Sequence, residues 1–463
     1  MDNKRHNFII ILISNFIVAA SATMIMPFLS LYINTLGDFS DSYVQKWAGL
    51  IFAATFITAF LMSPIWGRIA DKHGYKPIMM INCFGIAISI FLMGYVQNVE
   101  QFFVLRLFMG VVTGFIPTSI AFISKHTPKE IAGKTLGTLQ MGSVGGTLFG
   151  PVIGGALADA VGFQYTFIIT AIAITIAAII IMIGIHEQEI IQKKKNAVYS
   201  QKNVIWAIFH HRLILNVMLV TTLIQIGNFS IQPLLSLYVS ELSATQEVAL
   251  LAGITFSAAG LGNIAFARYW GRLSDLIGYE KVLTYLLLGC VVIIIPQAFV
   301  TELWQLMALR FLFGIVSGGL IPVTSALIRR EAPIDIQGEI MGYNQSFRFF
   351  GNIVGPILGG LVSGFGGIHS VFYTTGLLFI IAFIVFLMKT LRILQLWLSL
   401  SVFRHLITLK LVLMLVVFSF QKMRMEQVVM VKEAVREREI LEIKKSKVEK
   451  KIKLQYQSFL MTL

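Results

Sequence analysis

"GTLFGPVIGGALAD" runs from Gly146 to Asp159 inside an otherwise apolar stretch. Gly146, Gly150, Gly154 and Gly155, with Pro151, crowd a place where a helix is expected. Glycine costs roughly 1 kcal/mol and proline about 3 relative to alanine in a helix interior. "GNIVGPILGGLVSG" carries the same spacing from Gly351 to Gly364, 205 residues further on. Gly351, Gly355, Pro356, Gly359 and Gly360 repeat the pattern, so the poor helix former is kept twice.

Other landmarks return at nearly the same displacement. "IMPFLSLYI" (25–33) reappears as "IQPLLSLYV" (231–239), offset by 206. "GRIADKHGYKP" (67–77) reappears as "GRLSDLIGYEK" (271–281), and "LRLFMG" (105–110) as "LRFLFG" (309–314), each offset by 204. Landmarks in one order at one displacement describe a duplicated chain.

The stretches between them are apolar. The 463 residues are 56% hydrophobic and 13% charged, whereas a soluble chain carries about a quarter charged residues. Twelve apolar blocks lie at about 8–32, 47–66, 78–96, 102–124, 135–157, 163–185, 213–239, 248–270, 282–300, 303–327, 339–362 and 368–388. About 20 apolar residues cross a hydrocarbon core of roughly 30 Å. Strand alternation is absent, which argues against a membrane barrel. The expected fold is an all-α integral membrane protein of twelve transmembrane helices in two pseudo-symmetric six-helix bundles. Residues 1–185 form the first bundle, 186–212 a linker, 213–388 the second bundle and 389–463 a basic, partly apolar tail. Six crossings per half give both copies one orientation, and such parallel repeats place a substrate site near the midplane between the halves.

Basic residues set the orientation. Lys4, Arg5, Arg68, Lys72, Lys76, Lys125, Lys129, Lys134, Lys193–Lys195, Arg272, Lys281, Arg329 and Arg330 fall on one side. The opposite loops hold Asp38, Asp41, Glu100, Asp159, Glu241, Glu247 and Glu302, with Lys46 as their one cation. Both termini are therefore expected in the cytoplasm and the chain in the cell (inner) membrane. The first block is too long for a signal-peptide core and reads as a retained helix.

Of the formal charge of +14, residues 389–463 contribute +9, from 15 Lys/Arg against 6 Asp/Glu. The remaining +5 is the loop bias, so nothing calls for a nucleic-acid partner. The tail after 388 is broken by Arg404, His405 and Lys410 and is too short in its uncharged runs to span. It reads either as an interfacial segment on anionic lipid or as an extension without function. Cys83 and Cys290 lie singly in apolar helices and make no metal or disulfide pattern. No nucleotide-binding "GxxxxGK[ST]" occurs, and no nucleophile–base arrangement supports an enzyme.

The loop "GRIADKHGYKP" resembles the signature of the major facilitator superfamily, G-x-x-x-D-[RK]-x-G followed by basic residues. The resemblance covers residues 1 to about 388. It implies that Gly67, Arg68, Asp71, Lys72, Gly74 and Lys76 form a latch between the halves, with Asp71 facing the N-terminus of a neighbouring helix. Gly271, Asp275 and Gly278 keep the second copy, which departs from the pattern at Leu276. Arg106, with Gly110, falls where the family carries an arginine linked to gating or proton coupling, and Arg310 with Gly314 repeats it. An intramembrane cation is a functional candidate, but Arg106 is near a helix end and snorkelling is the competing reading. The glycine-proline segments resemble the antiporter motif of the drug/proton branch. Their bare faces admit a close helix neighbour, and each proline removes one backbone bond.

By the family's plan the cavity would be bordered by Asn15, Phe52, Phe56, Gln140, Met141, Gln225, Asn228, Phe229, Gln232, Asn344, Gln345, Phe347 and Arg348. Each taken singly also fits interhelix packing. No acidic residue falls near the middle of an expected helix, so proton coupling is implied by the resemblance alone. Arg348 without a carboxylate favours neutral, zwitterionic or anionic amphiphiles over permanent cations. The expected function is proton-coupled export of small amphipathic drugs by alternating access, without cofactor or metal, by a monomer in contact with lipid. Export of an endogenous metabolite such as a sugar or lipid precursor is the alternative, and a membrane scaffold or sensor a more distant one.

Overall fold

In the computed structural model, residues 2–127, 129–185, 208, 210–243, 245, 247–333 and 336–390 are described. They belong to the compact unit Met1–Leu391. Most of the expected linker, and the expected tail from 391 on, lie outside the described residues.

Twelve helices among the described residues are long and apolar enough to cross a membrane. In the first half they are α1 (His6–Asn34), α2 (Asp41–His73), α3 (Tyr75–Met93), α4 (Val99–Lys125), α5 (Thr135–Val161) and α6 (Phe163–Gly184). In the second they are α7 (Arg212–Leu242), α8 (Val248–Ile277), α9 (Tyr279–Phe299), α10 (Leu303–Glu331), α11 (Gln337–Gly366) and α12 (Ile368–Leu387). No strand occurs among the described residues. Two buried clusters divide the apolar interior, one from Ile10 to Ile185 with Ala249, the other from Ile208 to Phe386.

One boundary differs from expectation. The apolar pattern starts the second helix near 47, but α2 begins at Asp41, so Lys46 is helical and not in a loop. Ser40 explains the earlier start: its Oγ accepts from the Tyr43 amide at 3.4 Å, and Asp41 sits in the positive first turn.

Several spans are interrupted, and the interruptions repeat. Pro27 and Pro233 each begin a 3-10 turn, Met26–Phe28 in α1 and Gln232–Leu234 in α7. Helix α4 breaks at Thr113–Gly114 and α10 at Gly318–Gly319. A carbonyl freed in an apolar medium needs a donor. Trp66 Nε1 donates to Val111 O at 2.6 Å, and Trp270 Nε1 donates to Ile315 O at 2.6 Å. Likewise Tyr32 Oη reaches Met93 O at 2.9 Å and Tyr238 Oη reaches Gln297 O at 2.8 Å. Gly74 (φ 94°) and Gly278 (φ 97°) turn α2 into α3 and α8 into α9 through a single residue that only glycine occupies readily.

Candidate functional site

The bare faces of α5 and α11 meet, first, helices of their own halves. A Cβ on Gly146 would lie 2.7 Å from the Ala20 amide nitrogen, and one on Gly150 2.5 Å from Ala20 O. One on Gly154 would overlap the Met24 carbonyl, so α5 lies against α1 at backbone contact. In the second half a Cβ on Gly351 would lie 2.6 Å from Gln225 Cβ, one on Gly355 2.7 Å from Ile226 O, and one on Gly359 would overlap the Ser230 carbonyl, all on α7. Pro151 and Pro356 are both buried inside unbroken helices. The glycine stripe is thus chiefly a packing face within each bundle, which spacing alone does not tell.

Gly155 and Gly360, the last glycine of each motif, turn to the opposite half. A Cβ on Gly155 would overlap Ala249 O and lie 2.8 Å from Leu250 Cα, on α8. A Cβ on Gly360 would lie 2.7 Å from Gln45 O and 3.1 Å from Gly49 Cα, on α2. Reciprocally, Gly49 abuts the Pro356 carbonyl and Gly253 the Pro151 carbonyl. These contacts form two seams, α5 with α8 and α2 with α11. Ser363 Oγ donates to Gln45 Oε1 at 2.8 Å, Ser257 Oγ donates to Leu148 O at 2.6 Å, and the Ser30 and Ser236 hydroxyls meet at 2.6 Å. Phe56 and Phe229 meet edge to face, with centroids 5.3 Å apart. At this end the two halves are closed on each other.

Toward the opposite end, glycines of the same four helices face open space. A Cβ on Gly67 of α2, Gly137 of α5, Gly271 of α8 or Gly338 and Gly342 of α11 would meet nothing within 4 Å. The signature turns lie here. Gly67, Arg68, Asp71 and Lys72 are exposed, Asp71 Oδ1 accepts from Tyr75 Oη at 2.5 Å, and Lys76 Nζ donates to Ile185 O at 2.8 Å. Asp275 accepts from Tyr279 in the same way at 2.5 Å, and Leu276 is 81% exposed where the first copy has Lys72.

Arg106 and Arg310 are each 5% exposed, so neither guanidinium extends to an interface. Arg106 Nη1 is 3.8 Å from Met109 Sδ and its guanidinium carbon 5.9 Å from the Phe52 ring centroid. Its Nε, and Nε and Nη2 of Arg310, are buried without a hydrogen-bond partner. Among the described residues the ion pairs are those of Arg330 with Glu280 and Glu331, far from both. Gly110 and Gly314 abut Thr55 O on α2 and Ala259 O on α8, which brings each arginine-bearing helix close.

The remaining expected cavity residues are not one cluster. Asn15 Oδ1 accepts from Ser119 Oγ at 2.9 Å within the first half, and Gln225 Nε2 donates to Asn352 Oδ1 at 2.8 Å within the second. Phe52 is buried, whereas Gln140, Met141 and Gln345 are exposed, and Gln232 and Phe347 are half-buried. Arg348 Nη1 donates to Gln345 Oε1 at 3.0 Å. Its Nε, with Asn228 Oδ1 and Asn344 Oδ1, is buried without a partner. Sequence reasoning missed the closing pairs Gln45–Ser363 and Ser30–Ser236; the repeated "LSLY" at 29–32 and 235–238 was the one available signal for the latter.

Twelve membrane-length helices in two repeated halves, joined at one end through glycine seams and paired hydroxyls, fit a membrane transporter of the carrier type. A model described as "Major Facilitator Superfamily" matches residues 11–251 and 217–421. The chain is 54% identical over 79% of its length to the uncharacterized MFS-type transporter YuxJ of Bacillus subtilis, spanning 94% of that protein. It is 37% identical over 81% of its length to the multidrug resistance protein MdtG of Salmonella dublin, spanning 92% of it. Among solved structures, a bacterial homologue of the human lysosomal transporter Spinster in an inward-facing, occupied conformation superposes with a TM-score of 0.70 at 13% identity, covering 84% of this chain and 97% of that one. The nucleoside transporter NupG gives 0.66 at 17% identity, covering 84% and 98%. The chain belongs to the Major Facilitator Superfamily.

Proposed function

We propose that this transporter exports small amphipathic drugs across the cell membrane by alternating access, coupled to inward proton flow. The observation that carries the reading is the similarity to multidrug resistance proteins named MdtG, 37% identical across 92% of one such protein. The excess of basic residues in the loops on one side supports a cytoplasmic place for the signature turns and both termini. On that orientation the end with the open glycine faces lies toward the cytoplasm, which supports a state that receives substrate from inside. The bundle boundaries 1–185 and 213–388, a monomeric assembly, lipid contact by the tail and the latch role of Asp71 are parts of the same proposal.

The unpaired Nε of Arg348, beside Asn344 and Gln345, supports a polar wall that suits neutral, zwitterionic or anionic amphiphiles. No carboxylate lies midway along a span to hold a lone cation. Energised inverted vesicles loaded with a zwitterionic fluoroquinolone or with ethidium test this. Fluoroquinolone accumulation that collapses with a proton ionophore, and falls in Arg348→Gln, is the expected result. Ethidium accumulation alone would overturn the substrate class, and uptake insensitive to the ionophore would overturn the coupling.

A further inference from the structure

Asp159, at the end of α5, caps a helix of the opposite half. Its Oδ2 accepts from the Leu250 amide at 2.7 Å and its Oδ1 from the Ala249 amide at 3.2 Å. Both amides belong to the first turn of α8, and Glu247, the residue before that helix, makes no side-chain cap. The leading amides of a helix lack intrahelical partners and concentrate positive charge, so a carboxylate placed on them meets both needs. Helix α8 therefore takes its cap from across the seam.

The other seam is built differently. Residue 364, which is 205 positions beyond Asp159, is glycine, and the repeat sets Gln45 and Lys46 opposite it where Ala249 and Leu250 stand in the first seam. Helix α2 is capped by its own Ser40. Ser42 Oγ donates to Gly364 O at 2.7 Å, and Lys46 Nζ lies 4.4 Å from the Phe365 ring centroid. Parting α2 from α11 leaves α2 capped; parting α5 from α8 strips two amides and a carboxylate at once.

We propose that Asp159 is a conformational latch, which holds the α5–α8 seam shut and sets the population of the state closed at this end. A latch of this kind works by being made in one state only, so its removal shifts the balance by the worth of the contact. Neither the transported molecule nor the coupling ion enters the claim.

Two pairs of spin labels test it, in a background with Cys83 and Cys290 replaced by alanine. Labels at Gln97 and Thr301 report the end near Asp159, and labels at Lys72 and Leu276 report the opposite end; all four positions are exposed. Losing one helix cap predicts that Asp159→Ala raises the ratio of long to short distances for Gln97–Thr301 by about fivefold. The Lys72–Leu276 distribution shortens in step. Asp159→Asn, which keeps an acceptor oxygen but no charge, shifts both part of the way and carries the test if the alanine variant does not insert. A change confined to Gln97–Thr301, as from local loosening of α8, or no change in either pair, would overturn the latch. Since no substrate is added, that failure is distinct from any failure of the export reading.

Discussion

Ser30 and Ser236 hold the same place in the two repeats, 206 residues apart, and their hydroxyls meet at 2.6 Å. A contact between a residue and its own repeat sits on the axis that exchanges the halves. Both side chains are buried, at 0% and 1% exposure. The contact lies at the closed end, so opening there must break it, while parting of the signature turns can leave it whole.

The glycines divide into packed and open positions. Gly154→Ala and Gly359→Ala drive a methyl into the Met24 and Ser230 carbonyls. Overpacking of this kind costs about 1–3 kcal/mol. Gly67→Ala meets nothing within 4 Å. Thermal unfolding in detergent should therefore show a lowered Tm for the first two and a Tm at or above the wild-type value for the third, where alanine is the better helix former. Three equal values would contradict the assignment of α5 and α11 as packing faces.

Trp66→Phe keeps the ring against its neighbours but removes the donor to Val111 O. Leaving that carbonyl unsatisfied costs about 1–3 kcal/mol, and Trp270→Phe should do the same at Ile315. Hydrogen exchange should then rise at the breaks in α4 and α10. Unchanged protection there would show that the indole bonds do not hold the breaks.

Arg106 has no acidic partner among the described ion pairs and a buried Nε without a hydrogen bond. A buried, unpaired cation adds nothing to stability, and replacement by an apolar side chain relieves its desolvation. Arg106→Leu should unfold at the wild-type Tm or above it, while transport falls about tenfold or more, as for an intramembrane charge kept for function. A destabilised variant with proportionate transport would make Arg106 a structural residue.

Much of this architecture is legible in the order of the residues, because a bilayer admits few solutions. The twelve apolar blocks correspond to twelve spans, and the repeat offsets of 204 to 206 recur in the Trp66 and Trp270 bonds and the Tyr32 and Tyr238 bonds. The start of α2 is hidden because Ser42, Gln45 and Lys46 look like loop residues, yet they turn to the opposite half. The glycine motif is visible, but the neighbour of each glycine is not: a spacing of four gives a face, and only the packed chain tells that Gly154 meets α1 while Gly155 meets α8. Asp159 looks like one loop acid among several, since a cap supplied across the seam leaves no local pattern. The cavity residues are the least legible. A lone amide such as Asn15 or Gln225 fits a partner within its own bundle as readily as a substrate.

The central claim is that transport requires the closed end to open between the two repeats. The double variant Ser30→Cys/Ser236→Cys, with Cys83 and Cys290 replaced by alanine, places two thiols where the hydroxyls now touch. Drug accumulation in inverted vesicles should cease once the pair is oxidised and return after a reductant is added. Fully cross-linked protein that transports at the undiminished rate would contradict the account.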